Sequence, residues 1–199
     1  MDEQKTIMYV HGFASSGSSG TVMALRRHFM GWRVVAPDLP VDPFEAIELL
    51  RSMVADEQPS VIIGTSMGGM YTQQLRGVLR IVVNPSFEMS RSLLFGKMGR
   101  NKYTSKRRDG ATEFRVDKTL VERFKLMEKT QFDGITEEDK ALVTGLFGDK
   151  DSVVHFQPLM ASLYGEERCR WFNGEHRLND TVVKTVLVPL INDMIAQNS

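Results

Sequence analysis

Short apolar runs rich in β-branched residues recur along this chain. Each is followed by a stretch whose apolar residues return at helical spacing, and this alternation restricts the fold more than any other feature. Buried strands feeding crossover helices give such a rhythm, which implies a mostly parallel sheet covered by helices on both faces. The runs are Thr6 to Val10, Trp32 to Ala36, Ser60 to Ile63, Leu79 to Val83 and Ala141 to Phe147, with a weaker one at Cys169 to Phe172. Val22, Leu25 and Phe29 share one helical face that ends at Gly31. In the next helix Asp42 is placed to cap, Pro43 suits the first turn and Glu45 is spaced to close a capping box. A final helix from about Asp180 buries Val183, Val186, Leu187, Leu190, Ile191 and Met194, and Pro189 is expected to kink it or mark a restart. Between Ser86 and Glu138 the rhythm fails. That segment is charged, glycine-punctuated and helical only in patches such as Leu120 to Met127, and it reads as a lid-like insertion over one end of the sheet. With 199 residues, 42% of them hydrophobic, the chain is read as one domain over residues 1–199.

Four constellations carry chemistry, and each follows a strand. Gly64-Thr65-Ser66-Met67-Gly68 matches G-x-S-x-G, in which glycines allow a sharp strand-to-helix turn that exposes a nucleophilic serine. Val61-Ile62-Ile63 precedes it as a buried strand, and Gly69 to Leu75 begins a helix after it. His11-Gly12-Phe13 follows the first strand, where the loop supplies one backbone N–H of an oxyanion hole. Phe13 and Met67 are the candidate donors, and His11 is read as structural. Gly148-Asp149-Lys150-Asp151 and Gly174-Glu175-His176 follow the last two strands, at the carboxyl ends where open α/β sheets build their sites. The order Ser66, Asp151, His176 is nucleophile, acid, base. His28 and His155 compete with His176 but lack its strand-end position. Asp149 and Asp151 share this strand end; Asp149 is suited to tying the turn, and Asp151, with Val153 and Val154 following, is preferred as the acid because its place resembles the hydrolase pattern, in which the acid stands three residues past this glycine.

These motifs resemble the α/β-hydrolase superfamily and, within it, the small YqiA-like esterases of bacteria. The resemblance rests on Tyr9-Val10-His11-Gly12-Phe13 with Ser15-Ser16, Pro37-Asp38-Leu39-Pro40, Gly64 to Gly69, Asn84-Pro85 and Gly174-Glu175-His176, and in the insertion on Tyr103-Thr104. It implies a three-layer α/β-hydrolase fold and a serine esterase of short acyl esters, with nucleophile Ser66, acid Asp151 and base His176. Leu178 stands where that family suggests an aromatic residue. Phe95 and Phe124 are expected to line the acyl pocket from the insertion.

Composition narrows the alternatives. Lys plus Arg equals Asp plus Glu, so no global field draws the chain to nucleic acid or an acidic membrane, and neither is expected as a partner. No apolar run approaches the ~20 residues of a membrane span. The single Cys169 and the polar Met1 to Lys5 segment lead to an expectation of a reducing cytoplasm. The four histidines lack metal-ligand spacing, and acyl transfer by serine needs neither metal nor cofactor, so none is expected. Two alternatives stay open. One is thioester hydrolysis, with Lys97, Arg100, Lys102, Lys106, Arg107 and Arg108 meeting a CoA phosphate. The other is a binding protein on a retired hydrolase fold.

Overall fold

The computed structural model describes residues 4–198. Its strands in chain order are β1 (Thr6–Val10), β2 (Arg33–Val35), β3 (Val61–Thr65), β4 (Arg80–Val83), β5 (Gly99–Lys102), β6 (Glu113–Val116), β7 (Val143–Gly148) and β8 (Cys169–Phe172). Six of them form one sheet in the order β2-β1-β3-β4-β7-β8, and every neighbouring pair in it is parallel. All six sequence runs became strands of this sheet. The weaker run at Cys169 is one of its two edges, β2 being the other. Of the polar segment Met1 to Lys5, the first three residues lie outside the described range.

The central strands read as unbroken apolar runs because both faces are covered. Met8, Val10, Ile62 and Val82 point into one core cluster; Ile7, Tyr9, Ile63, Ile81 and Val83 point into the other. The first cluster packs on α2 (Pro43–Glu57), α3 (Met67–Thr72), α5 (Lys118–Thr130) and α7 (Gln157–Tyr164). The second packs on α1 (Gly20–His28) and the C-terminal helix. Three layers result. The chain places β2 and β3 on opposite sides of β1, so the strand order reverses there and a crevice opens at the carboxyl ends of β1 and β3.

Asp42 caps α2 by accepting from the Phe44 and Glu45 N–H groups at 2.9 and 3.2 Å. The reciprocal Glu45 bond of a capping box is not formed among the described residues. Arg123 of α5 donates to the Asp42 carboxylate and ties the insertion to this helix end. At the C-terminus Pro189 marks the restart expected of it, falling in the first turn of an α-helical segment that begins at Val188. Residues Val183–Leu187 form a π-helical turn between α8 (Asp180–Val182) and α9 (Val188–Gln197), a widening that accommodates the missing proline N–H and relieves its clash with the preceding turn.

The insertion contains more regular structure than its composition suggested. It holds α4 (Met89–Gly96), the antiparallel β5–β6 ribbon, α5 and the start of α6 (Glu137–Ala141). The ribbon loop Thr104 to Arg108 folds back onto the loops after β1 and β2. There Thr104 N–H donates to Ala14 O at 2.7 Å, Ser16 Oγ donates to Lys106 O at 2.8 Å, and Asp38 accepts from the Gly17 and Arg108 N–H groups.

Candidate active site

Ser66 occupies the bend between β3 and α3 with φ +55° and ψ −121°, a conformation that costs a non-glycine residue about 1–3 kcal/mol and tends to occur where function holds it. The glycines of the pentapeptide are there for space. A Cβ on Gly64 would sit 2.2 Å from Thr72 Oγ1 and 2.3 Å from Gly68 O, and one on Gly68 would sit 2.1 Å from Val10 O. Either would push α3 away from the sheet. Gly12 is packed over the serine, since a Cβ there would lie 3.2 Å from Ser66 Cβ. Ser66 O accepts the Ser86 N–H at 3.0 Å, and its N–H is held by Val83 O. The half-buried side chain is left at the mouth of the crevice.

His11 is 2% exposed, and its partners fix its state. The Leu39 N–H can only donate, so Nε2 at 3.1 Å must be its acceptor, and the ring proton lies on Nδ1, directed at Gly12 O at 2.8 Å. Burial lowers its pKa, in keeping with this neutral form. The ring thus joins the loop after β1 to the Pro37–Pro40 segment, the structural role read from sequence. Among the described residues, the Phe13 and Met67 backbone N–H groups are not taken up by an internal acceptor, and both residues line the same cavity.

Asp151 and His176 meet across the ends of β7 and β8. His176 Nδ1 lies 2.8 Å from Asp151 Oδ2, and the carboxylate is almost wholly buried. Its other oxygen, Oδ1, accepts the Val153 and Val154 N–H groups at 2.7 and 3.3 Å. Asp149 has a different part from the one expected. Rather than tying its own turn, it accepts the Gly174 N–H at 3.0 Å and so holds the histidine loop. The two loops are in backbone contact: Lys150 N–H donates to Gly174 O, and a Cβ on Gly148 would lie 2.5 Å from Gly174 O. Among the described residues no side chain is hydrogen-bonded to Ser66 Oγ. Catalytic hydrogen bonds of this kind commonly tighten only when substrate binds. The competing histidines lie elsewhere. His28 Nε2 sits 3.1 Å from Asp180, while His155 is exposed in the loop before α7 instead of on a helix.

A narrow cavity of about 20 Å³ adjoins this crevice, lined by His11, Phe13, Ala14, Leu39, Pro40, Val41, Met67, Tyr103 and Phe114. The ribbon roofs it: Phe114 meets Phe13 edge-on at 5.2 Å, Tyr103 packs on Phe114 at 4.7 Å, and the Arg107 guanidinium lies 4.5 Å over Tyr103. The insertion therefore does contribute lining, but not through the residues expected. Phe95 is 80% exposed on α4, and Phe124 is fully buried in the core with Leu93 and Met127. Helix α5 turns its apolar face to the sheet layer because α2 and α4 offer it a core to complete, so Phe124 never reaches the crevice. The basic cluster is also divided. Arg107 is buried, donating to Leu39 O and paired with Asp109, and Arg108 donates to Ala36 O, so both act as latches of the ribbon. A larger open hollow of about 310 Å³, lined by Arg100, Glu113, Phe114 and Arg115, contains none of the strand-end residues.

Solved structures share this architecture. Est1E from Butyrivibrio proteoclasticus superposes with a TM-score of 0.64 at 15% identity, covering 98% of this chain and 90% of that one. Mouse alpha/beta hydrolase domain-containing protein 10 gives 0.67 at 15% identity, covering 99% and 92%. An alpha/beta superfamily hydrolase from Oenococcus oeni PSU-1 gives 0.63 at 13% identity, covering 98% and 94%. At these identities the likeness shows the fold, which is that of the α/β hydrolases. In sequence, residues 6–185 match the model of the uncharacterised protein family UPF0227, and the chain belongs to that family.

Proposed function

We propose that this protein is a serine hydrolase that cleaves small acyl esters through Ser66, His176 and Asp151. His176 Nε2 takes the Ser66 hydroxyl proton as Oγ attacks the ester carbonyl, and the oxyanion is received by the Phe13 and Met67 backbone N–H groups. Collapse of the tetrahedral adduct expels the alcohol, which takes its proton from His176. A water, deprotonated by the same imidazole, then releases the acid and frees the serine. Asp151 holds Nδ1–H and stabilises the imidazolium without itself taking the proton. No cofactor or metal enters this scheme, and the partner it requires is a small-molecule ester.

The observation that carries the reading is the 2.8 Å contact between His176 Nδ1 and a buried Asp151 oxygen, at the same carboxyl end of the sheet as a strained serine. A retired binding scaffold has no need of that combination. The small volume beside Met67, room for about one water-sized or methyl-sized group, favours a short acyl chain. The test is turnover of p-nitrophenyl acetate by the wild type and by Ser66→Ala, with acetyl-CoA as a parallel substrate to separate ester from thioester preference. The variant is expected to fold and to lose roughly 10³ to 10⁶ in kcat. Near-wild-type turnover by pure Ser66→Ala protein would end the serine-hydrolase reading.

A further inference from the structure

Asn84 follows β4, between the strand that ends at Ser66 and the strand that leads to Asp151. It is 1% exposed and has φ +43°. Its Oδ1 accepts the Gly148 N–H at 2.8 Å, while Nδ2 donates to Glu175 O and His176 O at 3.1 Å each. The Gly148 N–H can only donate and the two carbonyls can only accept, so the amide can lie only one way round. Its own N–H donates to Leu146 O at 2.9 Å, and two residues later the Ser86 N–H donates to Ser66 O.

Residues 84–86 therefore form a strap with one end on the serine backbone and the other on the histidine backbone. The Asp151 and His176 loops hold each other through Asp149, Lys150 and Gly174, but those bonds do not reach Ser66, which joins the pair through the sheet and this strap. We propose that Asn84 is a positioning residue that fixes the reach of His176 toward Ser66 by binding the acid loop and the histidine loop with one side chain. This rests on the reading of Ser66, His176 and Asp151 as a catalytic triad. The hydrogen bonds of the buried Asn84 side chain go only to backbone groups, so its removal displaces the base without removing a substrate contact. A displacement of about 1 Å in such a site lowers turnover on the order of 10²-fold.

Two variants test it. Asn84→Gly tolerates the positive φ and deletes only the amide. Asn84→Asp keeps the shape and the oxygen for Gly148 but turns a second oxygen toward two carbonyls, so that the side chain can donate only when protonated. Each is compared with wild type in hydrolysis of p-nitrophenyl acetate from about pH 5 to pH 9, at temperatures well below melting, and in the rate of Ser66 labelling by a fluorophosphonate. For Asn84→Gly the expected result is a fall of roughly 10² in kcat with little change in KM, and a parallel fall in labelling rate. For Asn84→Asp, the ratio of variant to wild-type kcat should rise as pH falls, because protonation restores one donor. A purely structural role would lower melting temperature alone. Folded variants with wild-type kcat and a pH-independent ratio would overturn the proposal while leaving the triad intact. Wild-type protein that neither turns over the ester nor takes the label would overturn the triad reading, and this inference with it. If Asn84→Gly fails to fold, the Asn84→Asp ratio alone decides.

Discussion

Replacing Asp151 and Asp149 separately by asparagine distinguishes the two acids at the end of β7, and the bonds around each set the size of the effect. Asp151 Oδ1 receives the Val153 and Val154 N–H groups, which have no other role than to donate. In Asp151→Asn those donors hold the amide oxygen in place, so the NH2 group replaces Oδ2 at 2.8 Å from His176 Nδ1. Two donors cannot face each other. His176 is driven to the tautomer with its proton on Nε2, and the lone pair needed to accept the serine proton is gone. The loss reaches about 10⁴ in kcat, which is about 5.4 kcal/mol of transition-state stabilisation. Exchanging charge-assisted bonds for neutral ones costs about 1 kcal/mol of stability, or a fall of roughly 2–4 °C in Tm for a domain of this size. In Asp149→Asn the amide oxygen still accepts the Gly174 N–H and the rest of the side chain meets solvent. Its kcat should stay within about threefold of wild type, since exposed substitutions away from special contacts stay within ±0.5 kcal/mol. Steady-state hydrolysis of p-nitrophenyl acetate and thermal melting, run on the same preparations, read both effects. Equal losses in the two variants, or full activity in Asp151→Asn, would refute the tautomer argument.

Shortening the roof of the cavity should change acyl preference. Phe114→Ala is expected to raise the butyrate-to-acetate ratio of kcat/KM by about tenfold, the low end of what accommodating added methylenes is worth. Phe95→Ala should leave that ratio alone, and Phe124→Ala should cost about 3–5 kcal/mol of stability without moving it. A ratio unchanged in Phe114→Ala would remove the ribbon from the acyl site. For His11 the folded pKa is lowered, so the unfolded chain binds more protons as pH falls below the ordinary histidine value of about 6.5. The stability this ring contributes is present above that pH and is lost as pH falls toward the folded pKa. Melting curves should show a steeper decline in Tm between about pH 7 and pH 5 for wild type than for His11→Phe. Parallel declines would contradict the neutral His11.

The main sheet was legible because parallel strands buried on both faces have no alternative reading. Ile7 to Val10, Val61 to Ile63 and Ile81 to Val83 are apolar throughout, and each is followed by a turn residue. The strand-end positions of Ser66, Asp151 and His176 followed from that register. The ribbon was missed because its period-two pattern is charged on one side: Glu113-Phe114-Arg115-Val116 alternates, as do Arg100, Asn101, Lys102 and Tyr103 opposite, but overall charge concealed it. That alternation was the signal that would have marked Phe114 in place of Phe95 and Phe124. Choosing among Leu93, Leu94 and Phe95 required the helix rotation, which only packing sets, and packing buried Leu93. Long-range polar links left no local trace. Arg80, wholly buried and bonded to Gln73 O and Asp139, looked like an ordinary charged residue at a strand start. Asn84, with bonds reaching more than sixty residues along the chain, looked like a loop asparagine before a proline.

Ser66 is the proposed nucleophile, and covalent labelling followed by peptide mapping checks that assignment at the residue itself. Folded protein is treated with a fluorophosphonate, digested, and the modified residue located by tandem mass spectrometry. One adduct is expected, on Ser66 in the peptide that also carries Gly64 and Gly68, with labelling abolished by Ser66→Ala and strongly slowed by His176→Ala. Absence of any adduct on folded wild-type protein, or an adduct on another residue such as Ser16 or Ser86, would contradict it.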